Sequence, residues 1–169
     1  FINRHSFSSK DISVITLNYT DTLEKILSLN ASVTAKSFSN NTNLRNIIHV
    51  HGQLGESIII GVDHPAQMKN EAFRNNEDIK DIMIKIESNE SMKETRHMEC
   101  ERLIANANVI VLFGVSLGET DARWWKLIGQ NLKRRKNIAI IQHLYNPGAI
   151  TPTQRQKIRQ LERKQQKYL

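Results

Sequence analysis

Asn108-Val109-Ile110-Val111-Leu112-Phe113, running straight into Gly114-Val115-Ser116-Leu117-Gly118-Glu119-Thr120-Asp121, is the stretch that decides the fold. An unbroken apolar run this short, closed by a glycine-containing loop, reads as a strand covered on both faces, as in a parallel sheet. Ala122–Leu132 follows with helical spacing, and Thr120 or Asp121 is the expected N-cap. Strand, loop and helix in that order begin a βαβ unit.

The same order recurs upstream. Ser13-Val14-Ile15-Thr16-Leu17 is a β-branched run that stops at Asn18-Tyr19-Thr20. Asp21-Thr22-Leu23-Glu24 then has the spacing of a capping box, and Leu23, Ile26 and Leu27 continue one helical face. Ser28–Asn46 is rich in Ser, Asn and Thr and reads as a variable connection, with a weak strand from Val33 to Phe38. Asn46–Val50 is a further strand ending at His51-Gly52, and Ser57–Val62 another, ending at Gly61-Val62-Asp63-His64-Pro65. From Asn75 to Asn106, Ile79, Ile82, Met83, Ile86, Met98, Leu103 and Ile104 recur at helical spacing. Polar Glu87–Thr95 divides that stretch into two predicted helices. Asn137–Leu144 is the last predicted core strand, Asn146-Pro147-Gly148 ends it, and Thr153–Leu169 reads as a basic helix. The expectation is an α/β fold with a doubly wound, mostly parallel sheet over residues 1–150, followed by a basic helix or tail over 151–169.

A chain of 169 residues can bury one full core. The net charge of +7 is peripheral: Lys133-Arg134-Arg135-Lys136 and the tail from Thr151 carry +9, and the remainder −2. A solvated helix face and tail is the plainer reading of those charges, and few aromatics interleave with them to stack bases. A single cysteine, Cys100, allows no internal disulfide, so a reducing, cytoplasmic setting is the expectation. No apolar run approaches the roughly 20 residues that span a bilayer, so no membrane partner is expected. The chain starts at Phe1 in mid-pattern, without Met, and reads as a fragment.

In open parallel sheets, ligands bind beyond the carboxyl ends of the strands. Those ends carry Asn18-Tyr19-Thr20, His51-Gly52, Asp63-His64 and Gly114-Val115-Ser116-Leu117-Gly118. Glycine permits close backbone approach to a ligand, and a following helix N-terminus favours phosphate. His49 and His51 share one strand face, yet no third ligand with suitable spacing follows, and no metal is expected. His49 reads as a strand histidine packed against a helix. His51, before a glycine, is better placed for general-base work. His97-Met98-Glu99 lacks the cysteine partners of a zinc deaminase and reads as helix surface. Trp124 and Trp125 point to different helix faces, one toward the sheet and the other toward a pocket or partner.

Val14-Ile15-Thr16-Leu17-Asn18-Tyr19-Thr20-Asp21-Thr22-Leu23-Glu24, then Ile48-His49-Val50-His51-Gly52, then Phe113-Gly114-Val115-Ser116-Leu117-Gly118-Glu119-Thr120-Asp121 resembles the bacteriophage abortive infection AbiH family. That family in turn is similar to SIR2-like NAD-consuming domains, and the resemblance spans about Val14 to Leu144. It implies a bacterial antiviral protein with a Rossmann-like, SIR2-like fold. The implied chemistry is that of an NAD glycohydrolase-like hydrolase, with NAD or a related nucleotide as substrate. Asn18 would orient water at the nicotinamide ribose, and His51 would act as base on a ribose hydroxyl. Gly114 and Ser116 would hold the nucleotide, with Tyr19, Thr20, Gly52, Leu117 and Asp121 completing the binding set.

The chain departs from that pattern in five respects. It carries no glycine-rich opening strand–loop, no Gly-Asn-Gly segment, and no Cys-x-x-Cys pair of a zinc-bearing deacylase. Thr20 stands where many SIR2-like sequences have Asp, and Val115 where an AbiH loop is expected to have His. Two other functions stay open. One is a non-catalytic nucleotide-sensing module of a defence system, as a homo-oligomer or with a defence partner. The other is a nucleic-acid-associated protein using the basic C-terminal region.

Overall fold

The computed structural model describes residues 10–29, 36–39, 41–143, 156, 159, 160 and 163. The chain forms two compact units, Phe1–Ile60 with Glu94–Cys100, and Gly61–Lys93 with Glu101–Leu169. Both mix strands and helices, so the α/β expectation holds. A single doubly wound sheet is not formed among the described residues. The described strands form one three-stranded and one two-stranded sheet.

In the first unit, β1 (Lys10–Thr16) pairs in parallel with β3 (Thr42–His49), and β2 (Lys36–Ser39) lies antiparallel on the far edge of β3. β3 thus begins four residues before the expected Asn46, because β2 folds back beside its start. Helix α1 (Thr22–Ile26) follows β1. The predicted capping box does not form: Asp21 makes no cap hydrogen bond, and pairs instead with Lys25 at 2.9 Å. Leu44, Ile48, Val50, Ile59 and Cys100 are the buried apolar residues of this unit.

Ser57–Ile60 is not a strand. Ile59 is fully buried, but its backbone N–H donates to the His51 carbonyl at 2.8 Å, a local loop bond rather than a ladder rung. In the second unit, Val62 makes only an isolated bridge to Ile84.

That bridge explains the largest departure in the helical region. Three helices stand in Asn75–Asn106 where two were expected, α3 (Glu77–Met83), α4 (Lys85–Ser91) and α5 (Arg96–Asn106), and a short α2 (Glu71–Arg74) precedes them. Val62 donates to the Met83 carbonyl and accepts from Lys85 N, both at 2.9 Å. Ile84 is held extended between those bonds (φ −97°, ψ 116°), and the helix breaks there. The break also redirects the apolar face. Ile84 is buried, whereas Ile82, Met83 and Ile86 of the predicted stripe are 66%, 39% and 38% exposed.

β4 (Val109–Phe113) pairs in parallel with β5 (Ala139–His143), and α6 (Ala122–Arg134) connects them. Among the described residues β4 is not a central strand covered on both faces. Its one ladder partner is β5, and Val111 and Phe113 are 59% and 71% exposed. Trp124 and Trp125 are both buried, so neither is left over for an open pocket. The carbonyls at the end of α5 are satisfied by side chains that follow in sequence. Asn131 donates to Ile104 O at 2.7 Å, and Arg135 to Ala105 O and Ala107 O at 2.7 and 2.8 Å. One arginine of the basic run is therefore structural. Most of the predicted basic helix lies outside the described residues. Gln156, Arg159, Gln160 and Arg163 are helical and exposed. No described helix is long and apolar enough to cross a membrane.

Candidate functional site

Asn18, Tyr19, Thr20, His51 and Gly52 belong to the first unit. The parallel register sets Thr16 opposite His49. Asn18 and His51 therefore each lie two residues past a paired position, beyond the carboxyl ends of neighbouring strands. Val50 N donates to Thr16 O at 3.1 Å and extends that pairing by one residue.

The Asn18 turn is closed through Asn18's own main-chain groups, each bonded to a neighbouring side chain. Asn18 N donates to Thr16 Oγ1 at 3.1 Å, and its carbonyl accepts from His49 Nδ1 at 2.8 Å. Its side-chain amide takes no part: Asn18 is exposed, and the amide has no hydrogen-bond partner among the described residues. A strand-end asparagine that merely satisfied local backbone would use that amide. Thr20 Oγ1 shares a hydrogen bond with Thr22 Oγ1 at 2.9 Å.

His49 is buried against α1, as its strand position suggested. Its Nε2 lies 2.6 Å from Glu24 Oε1, so both ring nitrogens are engaged by oxygen acceptors. Sequence reading assigned Glu24 to a cap and missed this pair. The signal was present in the two periodicities, since Glu24 lies in the first turn of the helix that follows β1 and β3 runs beside β1.

His51 is 5% exposed, and its ring centroid lies 6.4 Å from that of Tyr19. The Tyr19 hydroxyl donates to Ile59 O at 3.3 Å, and Leu54 N donates to Tyr19 O at 2.8 Å. Gly52 has φ +86°, and a Cβ there would sit 1.9 Å from Ser57 O. The close approach that requires glycine at this position is made by the chain itself.

Gly114, Ser116, Leu117 and Asp121 belong to the second unit. Gly114 has φ +64° with nothing within 4 Å of an added Cβ, so its backbone borders open space. Ser116 is exposed and Leu117 is buried. The loop is held from behind. Trp125 Nε1 donates to Gly118 O at 3.1 Å, and Lys85 Nζ donates to Thr120 O at 2.7 Å.

Asp121 neither caps α6 nor is without a partner. Its Oδ1 lies 2.6 Å from Nζ of Lys85, whose side chain is 8% exposed. Asp63 takes over the cap, with Oδ2 accepting from Arg123 N at 3.0 Å and Oδ1 standing 3.9 Å from the same ammonium. A carboxylate at that terminus also meets the positive end of the helix dipole. Lys85 is the residue that sequence reading overlooked. A lone lysine between Ile84 and Ile86 was its only signal. Among the described residues, no three His, Cys, Asp or Glu side chains gather as metal ligands would.

The profile of one family, described as "Bacteriophage abortive infection AbiH", matches residues 2–143. No curated protein and no solved structure matches the chain.

Proposed function

The chain belongs to the AbiH family of bacteriophage abortive infection, and from that premise we propose that it acts in phage defence by hydrolysing the N-glycosidic bond of NAD or a related nucleotide. The observation that carries this reading is the Asn18 side chain. It projects from the carboxyl edge of β1 as an exposed amide unused by its own turn, and His51 leaves the same edge of the adjacent parallel strand. Ligands of parallel sheets bind beyond that edge.

In this reading Asn18 orients the water and His51 polarises a ribose hydroxyl. The bond between ribose C1 and the nicotinamide nitrogen breaks, and the nitrogen keeps the electron pair. Nicotinamide leaves neutral, because it begins cationic. Water oxygen then bonds to C1, and its proton passes to solvent. An amide and an imidazole suit such chemistry, since the transition state needs positioning and charge stabilisation more than a strong acid. The SIR2-like architecture belongs to the same reading.

The test incubates the full-length protein with NAD and follows release of nicotinamide. Turnover supports the reading. Saturable binding of NAD without turnover replaces it with a nucleotide sensor.

A further inference from the structure

The second unit holds an open cleft of about 450 Å³, within the usual range for small-molecule sites. Asp63 and His64 form one side of it, Glu101 of α5 another, and Arg123, Lys126 and Gln130 of α6 a third. Arg123, Lys126, Leu127 and Gln130 share one helix face, and the buried Trp124, Trp125, Ile128, Gly129 and Asn131 make up the other. A globular helix turns that second face to the core, which leaves the polar one for the cleft.

The acidic groups of the cleft are already engaged. Glu101 pairs with the Arg123 guanidinium, and Asp63 accepts from Arg123 N. Both ends of the Gln67 amide are used as well: Oε1 accepts from Asp63 N and His64 N, and Nε2 donates to Glu119 O. His64 Nδ1 accepts from Ala66 N at 3.2 Å, so in the neutral ring the proton sits on Nε2. Three donor groups are left without a partner among the described residues: Lys126 Nζ, His64 Nε2 and the Gln130 amide. Beside them lie the apolar Ile86, Ala122 and Leu127.

We propose that this cleft binds a small phosphate monoester, its phosphate on Lys126, His64 and Gln130 and its organic body on Ile86 and Leu127. A cation with two neutral donors from separate elements suits a tetrahedral oxyanion. Planar carboxylates favour an arginine fork, and Glu101 occupies the one in this cleft. The proposal rests on the second unit alone and is independent of the chemistry proposed for Asn18 and His51.

The probe is 1-naphthyl phosphate, titrated calorimetrically into the full chain at physiological salt, with 1-naphthol and inorganic phosphate in parallel. The expected result is saturable binding of the ester, no binding of the alcohol, and weaker binding of inorganic phosphate. Lys126→Ala should weaken the ester about tenfold or more, the usual loss of a charge-assisted hydrogen bond. Lys133→Ala, an exposed lysine further along the same helix, should change it less than about twofold, as a rim charge screened by salt does. Absence of saturable binding overturns the proposal. Equal losses from the two lysine variants also overturn it, because they indicate diffuse charge attraction. Inorganic phosphate binding as tightly as the ester overturns the role given to Ile86 and Leu127.

Discussion

His49 Nε2 lies 2.6 Å from Glu24 Oε1 while Nδ1 donates to the Asn18 carbonyl at 2.8 Å, so one imidazole joins α1 to the turn that presents Asn18. Removing the carboxylate leaves a buried ring nitrogen unsatisfied. Glu24→Ala is expected to lower stability by about 1–3 kcal/mol, and Glu24→Gln by less, because an amide oxygen can still accept. Urea unfolding measures both, and equal losses would contradict the pairing.

Lys85 is a buried cation between two carboxylates, 2.6 Å from Asp121 and 3.9 Å from Asp63. Breaking a buried pair from one side costs more than replacing the whole pair. Lys85→Met should therefore destabilise the protein by about 3 kcal/mol or more. Adding Asp121→Asn to that variant should restore part of the loss. Purely additive losses in the double-mutant cycle would contradict the coupling.

Gly52 and Gly114 both have positive φ, yet their surroundings differ. A Cβ at Gly52 would meet the Ser57 carbonyl at 1.9 Å, whereas one at Gly114 meets nothing within 4 Å. Gly52→Ala should cost more than about 2 kcal/mol, since the backbone must shift as well as strain. Gly114→Ala should cost only the left-handed conformation, about 1–2 kcal/mol. Melting temperatures of the two variants, read together, check the order.

Trp125 Nε1 donates to Gly118 O from a buried ring, behind the loop that begins at Gly114. Trp125→Phe keeps most of the apolar volume and removes that donor. A loss of about 1 kcal/mol is expected, with faster amide exchange at Gly118. Unchanged exchange would show that the loop is held elsewhere.

The strands and turns that carry the candidate site were legible in the sequence because each is local. Apolar runs mark β1, β3, β4 and β5, and the residues that end them, Asn18, His51 and Gly114, lie at strand ends. What was not legible depends on partners distant in sequence. Val62 interrupts a continuous helical pattern by bridging to Ile84, which periodicity over Asn75–Asn106 cannot register. Asp121 has the position of a cap, but Lys85 claims it and Asp63 caps α6 in its place. Glu24 has capping-box spacing, but His49 offers it a closer and more buried partner. In each case a short-range rule proposed one hydrogen bond, and a tertiary contact supplied a stronger competitor.

Nicotinamide release by full-length protein, compared with its Asn18→Ala variant, tests the central claim most directly. Asn18 is exposed and its amide supports no described hydrogen bond, so the variant should unfold at the same urea concentration as the parent. NAD hydrolysis by the parent, falling by about 100-fold or more in the variant, is the predicted result for a group that positions the attacking water. Equal rates in the two folded proteins, or a parent that releases no nicotinamide, would contradict it.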